Sequence, residues 1–147
     1  MSPTSGRPAG PPSDLRPALR SGPGRLLVAV YGVFAISASA RAGVQIVTSF
    51  SVAPLAYLLS ALAAAVYVVA TVALVRSSER SRRVALVSVT TELVGVLAVG
   101  ALSVGDPQAF PDETVWSGFG AGYGYVPLVL PVLGLWWLCS QRPRRPV

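Results

Sequence analysis

Two charges stand inside otherwise apolar runs of this 147-residue chain, Arg41 and Glu92. An ionisable side chain at the centre of a bilayer costs roughly 2.5 to 3.5 kcal/mol on insertion scales, and such groups usually face a bundle interior and a partner. The pair therefore has two chemical readings. One is a structural ion pair that fixes helix register, and the other is a site for an ion, a proton or a charged substrate. Gln45, one turn beyond Arg41, and Thr91, beside Glu92, supply further donors and acceptors. Arg41 lies 15 residues beyond Leu26, about 22 Å along its helix, and Glu92 about 12 Å from Val84. Side chains lean toward the helix N-terminus, so the long guanidinium fork of Arg41 is expected to reach toward the depth of Glu92.

The remaining inventory narrows the chemistry. The chain has no histidine, which removes haem, most zinc sites and Ser-His catalysis. Cys139 is the single cysteine, so there is no internal disulfide and no C-x-x-C redox pair, and its expected state is a buried free thiol. No catalytic set, metal or cofactor is expected, and the chain is read as not an enzyme.

A second unusual stretch runs from Phe110 to Pro127, with Asp112, Glu113, Trp116 and Tyr123 as candidate contacts to a protein partner or to lipid. Its aromatic rings suit a membrane interface, and glycines at 118, 120, 122 and 124 permit backbone that a regular helix does not need. The expectation is an interfacial hairpin leading into a helix, against a re-entrant or ligand-gripping loop. The glycine spacing is G-x-G-x-G-x-G, without the strand and helix of a dinucleotide site. Gly122-Tyr123-Gly124 lacks the Thr-Val and Asp that flank a potassium filter.

The elements that must position these residues are apolar helices. The chain is 52% apolar with a mean hydropathy of +0.60, and only 12% of its residues are charged, against about 25% in soluble domains. Four runs, about 26–48, 54–75, 84–104 and 121–140, are each long enough to cross about 30 Å of hydrocarbon. Pro131 limits the last of these to a kinked or short helix. Trp136 and Trp137 read as an aromatic belt at its end.

All twelve basic residues are arginines, and eleven of them, all but Arg41, fall in the tails or the 76–83 connector. The positive-inside rule makes that side cytoplasmic, while Asp106, Asp112 and Glu113 lie opposite. The charge therefore reads as topology, and nucleic acid is not an expected partner. The fold class expected is an all-α polytopic membrane protein with four transmembrane helices and both termini cytoplasmic. The expected domains are a disordered tail over 1–24, a membrane domain over 25–141 and a basic tail over 142–147. An arginine-rich, alanine- and glycine-rich composition without lysine or asparagine suggests a bacterial inner membrane. Residues 26–40 also have the layout of a signal peptide ending at Ala38-Ser39-Ala40. Apolar character resumes at Val44, Ile46 and Val47, so a retained first helix is expected.

Small residues recur at helix-packing spacing: Ala35, Ser39 and Gly43; Ala56, Ser60 and Ala64; Thr91 and Gly95. Such faces let backbones approach closely where lipid supplies no hydrophobic drive between helices.

The stretches Ala53-Pro-Leu-Ala-Tyr-Leu-Leu-Ser, Thr91-Glu-Leu-Val-Gly-Val-Leu, Phe110-Pro-Asp-Glu-Thr-Val-Trp-Ser and Tyr125-Val-Pro-Leu-Val-Leu-Pro-Val-Leu-Gly-Leu-Trp-Trp-Leu resemble a group of small actinobacterial four-helix integral membrane proteins. The resemblance covers residues 25–140 and implies location and fold, with no catalytic residue to transfer. Two function classes follow. One is a non-enzymatic scaffold or accessory membrane subunit, with the bilayer and a protein partner or second copy around it. The other is a small dimeric transporter working through Arg41 and Glu92.

Overall fold

The computed structural model describes residues 22–76 and 78–141. Among these, all regular structure is helical: α1 (Gly22–Ser49), α2 (Pro54–Val75), α3 (Glu79–Gly105) and α4 (Val126–Ser140), with two 3-10 segments, Pro107–Ala109 and Ser117–Tyr123, between α3 and α4. The expected terminal tails lie outside the described residues over 1–21 and 142–147, but residues 22–24 of the first are helical.

Local chemistry explains where the helices begin and end. Pro54 opens α2, where a missing N–H is harmless and a fixed φ is already helical. The hydroxyl of Ser78 caps α3 by accepting from the Ser81 amide at 3.1 Å, with Glu79 at the positive end of the helix dipole. That cap starts α3 at Glu79, five residues before the expected Val84, so Arg80, Arg82 and Arg83 belong to the helix. Arg82 then donates from Nη2 to the Leu138 carbonyl at 3.0 Å, fastening the start of α3 to the last turn of α4.

Three helices, α1, α2 and α3, are long and apolar enough to cross a membrane. The fourth crossing departs from expectation. The α4 helix begins at Val126 rather than near residue 121 and has 15 residues, about 22 Å. It reaches the length of a span only together with the 3-10 segment Ser117–Tyr123, from which it is bent by 99°. The break sits at Gly118, Phe119, Gly120, Gly124 and Tyr125, all with positive φ.

The helices pack in sequence order, α1 on α2, α2 on α3 and α3 on α4, while α1 and α4 meet only slightly. The buried stripe of α1 is Leu27, Tyr31, Ala35, Ala38 and Ala42. Ser39 and Gly43, expected on that face, are exposed, whereas Ala56, Ser60 and Ala64 of α2 are buried as expected. Large apolar side chains cover the outside, among them Ile36, Val47, Val87 and Leu26. A surface of that kind suits hydrocarbon rather than water.

Candidate functional site

Arg41 and Glu92 do not meet. Each is bonded to different residues, in two layers of the bundle. The expected ion pair is therefore replaced by two neutral-to-charged networks, because the aromatic residues of α1, α2 and the α3–α4 connection lie between the charges.

The inner layer is built around Glu92, which is fully buried in α3. Tyr31 of α1 reaches across the bundle and its hydroxyl donates to Glu92 Oε2 at 2.7 Å. The other carboxylate oxygen, Oε1, is buried without a hydrogen-bond partner. Tyr67 of α2 packs beside Tyr31 with ring centroids 6.2 Å apart. The Tyr67 hydroxyl accepts from the indole Nε1 of Trp116 at 3.2 Å. Small residues make this crowding possible. A Cβ on Gly95 would lie 2.5 Å from the Trp116 ring, and one on Gly134 would lie 3.3 Å from both the Tyr31 hydroxyl and Val89. Gly95 was expected to receive a helix. It receives an indole instead.

Trp116 is thus a core residue, 1% exposed, and not a contact for lipid or a partner. Thr91 also stands elsewhere than expected. It is exposed on the outer side of α3 and its hydroxyl donates to the Val87 carbonyl one turn back, at 2.7 Å.

The outer layer gathers Arg41 with most of the acidic loop. Arg41 Nη1 donates to the Tyr123 hydroxyl at 2.5 Å and Nη2 to the Glu113 backbone carbonyl at 3.2 Å. Asp112 Oδ2 accepts from Tyr57 of α2 at 2.9 Å and from Gln45 of α1 at 3.4 Å, while its Oδ1 accepts from the Glu113 amide at 2.8 Å. The Glu113 side chain is exposed. Two sets of residues that the sequence separates, Arg41 with Gln45 and Asp112 with Glu113 and Tyr123, therefore form one clamp that holds the connection against α1 and α2.

The connection itself is tied by hydroxyls. Ser103 Oγ accepts from the Gly118 amide at 2.8 Å, Ser117 Oγ from the Thr114 amide at 2.9 Å and Thr114 Oγ1 from the Trp116 amide at 3.1 Å. Phe34 joins the layers, with its ring 5.5 Å from that of Tyr67 and 5.9 Å from that of Tyr123.

Tyr31, Tyr57, Tyr67 and Phe34 were not singled out from sequence. The available signal was a phenol inside an apolar run, since a buried Tyr hydroxyl usually finds a partner. Two expectations at the end of α4 also change: Trp137 is buried in the core while Trp136 is exposed, and Cys139 is exposed. Among the described residues no three His, Cys, Asp or Glu side chains come together as metal ligands.

Comparison with protein families, with curated proteins and with solved structures finds no match.

Proposed function

We propose that this chain is a non-enzymatic scaffold or accessory subunit of a bacterial cell membrane. In this reading α4 with its bent 3-10 lead counts as a fourth crossing, and the arginine distribution supports a layout with both termini in the cytoplasm. The observation that carries the reading is the enclosure of Glu92. Its carboxyl group is fully buried inside one chain, with one oxygen bonded to Tyr31 and the other buried without a hydrogen-bond partner. A transport site needs a route to its charge, and a dimeric exporter needs that charge on a face shared with a second copy. Arg41 is likewise engaged within its own chain, holding the outer connection closed. Both charges thus serve assembly of the bundle, leaving the acidic outer cap and the apolar flanks for a protein partner, a second copy and lipid.

Proteoliposomes test this directly. With a pH-sensitive dye inside and an imposed membrane potential, vesicles containing the wild type and Glu92→Gln are expected to pass protons at the rate of protein-free vesicles. A flux that the wild type shows and Glu92→Gln loses would overturn the scaffold reading in favour of transport.

A further inference from the structure

Four arginines crowd into residues 76–83, but the structure sends them to different faces. Arg82 is committed to the Leu138 carbonyl on the α4 side. Glu79 and Arg83 are exposed and line no part of the crevice between α2 and α3. Arg76, the extended residue that ends α2, and Arg80, in the first turn of α3, both line it. Their convergence follows from the short connection, since only residues 76–78 separate the two helices. Among the described residues neither of these two side chains enters a hydrogen bond or an ion pair.

The crevice has a volume of about 260 Å³, and its apolar walls include Val68, Val69 and Val72 of α2 and Val84 of α3, each partly exposed. Val68 lies eight residues before Arg76, so this lining runs about 12 Å along α2 from the arginine toward the middle of the helix. Both helices are long and apolar enough to cross a membrane. Two cations at one end of a hydrocarbon wall are complementary to an anionic amphiphile. A guanidinium binds phosphate through paired, charge-assisted hydrogen bonds, while an acyl chain covers the valines. The connector of a second copy would bring like charge to the same place, and a phosphate without a chain would leave the valines uncovered.

We infer that the α2–α3 crevice binds an anionic phospholipid, with its phosphate held by Arg76 and Arg80 and an acyl chain against Val68, Val72 and Val84. The inference rests on the chain lying in a bilayer but not on its being a scaffold. The bound lipid bridges the end of α2 to the start of α3.

Full-length protein extracted in a neutral detergent is titrated with phosphatidylglycerol or with phosphatidylcholine of the same acyl chains, and the fraction carrying one lipid is read by native mass spectrometry. Phosphatidylglycerol is expected to bind about 25-fold more tightly, about fivefold for each arginine. Arg76→Gln and Arg80→Gln should each lower that preference about fivefold, and the two changes together should abolish it, whereas Arg83→Gln should keep it to within about twofold. Both residues are exposed, so the variants should melt with the wild type in lipid-free detergent. Equal binding of the two lipids by the wild type would overturn the inference and leave the bilayer reading standing. So would a preference that survives the double change or falls as far in Arg83→Gln. Displacement of the lipid by excess glycerol phosphate, a headgroup without chains, would overturn the lipid assignment in favour of a small phosphate. A chain that stays monodisperse once detergent is removed would overturn the bilayer reading and the lipid site with it.

Discussion

The Tyr31 hydroxyl, carried on α1, donates to the Glu92 carboxylate of α3 at 2.7 Å, so the buried acid of this bundle is held by a phenol and not by a cation. A phenol brings no counter-charge but supplies a directed hydrogen bond, and it fills the middle of the bundle at the same time. The geometry is supported from behind by Gly134 and from the side by Tyr67.

Removing that donor strands a buried acceptor. Tyr31→Phe is expected to lower stability by about 1 to 2 kcal/mol, read as a fall in the melting temperature in detergent. In a Glu92→Leu background the same change should cost much less. Equal costs in the two backgrounds would show that the hydrogen bond contributes nothing.

Arg41→Leu and Glu92→Leu should behave independently. The two residues share no hydrogen-bond partner, so their destabilisations are expected to add to within about 0.5 kcal/mol. Recovery of stability in the double variant would restore the ion pair that the separate networks replace.

Gly95→Ala places a methyl group where the Trp116 ring lies. Overpacking of this kind costs about 1 to 3 kcal/mol, and it should push the indole away from the Tyr67 hydroxyl. With Trp136 and Trp137 replaced by Phe, the emission of Trp116 is expected to shift to the red in Gly95→Ala. An unshifted spectrum would mean that the ring has room that the packing denies it.

The clamp on the outer connection depends on a fork with two ends. Arg41→Ala is expected to raise amide hydrogen exchange across residues 112–125 about tenfold, as loss of roughly 1.4 kcal/mol of local stability would do. Arg41→Lys should restore little of the protection, since a point charge cannot serve the Tyr123 hydroxyl and the Glu113 carbonyl together. Full protection in Arg41→Lys would show that charge alone is sufficient.

Orientation is open to reporter fusions. Fusions after Arg83 and after Arg145 should report cytoplasm, and one near Asp112 the exterior. An exterior signal at Arg83 would invert the layout.

The helical architecture was legible in the chain because hydrophobic length acts along one dimension. The α2 boundaries coincide with the apolar run, and the Ala56-Ser60-Ala64 face is buried as its spacing implies. What was not legible is azimuth. Arg41 and Glu92 have compatible depths, but depth does not say which way a side chain points around its helix, and Tyr31 and Phe34 take the interior between them. Trp116 misled for a related reason. In a glycine-rich loop it has the composition of an interfacial anchor, and only the cleft that Gly95 leaves in α3 turns it inward. The start of α3 was missed because the Ser78 cap draws charged residues into the helix ahead of its apolar run.

The shortness of α4 bears on how the chain enters the membrane in the first place. A segment of about 22 Å facing roughly 30 Å of hydrocarbon is a poor independent insertion unit, and the connection leading into it is held from the other helices by Ser103 at the Gly118 amide, Arg41 at the Glu113 carbonyl, and Gln45 and Tyr57 at the Asp112 side chain. Those four residues belong to α1, α2 and α3. With the four crossings proposed above, biogenesis would acquire an order: the last segment is expected to commit to the bilayer only after the first three have assembled to receive it, and a fault in any of them to surface as a misplaced C-terminus.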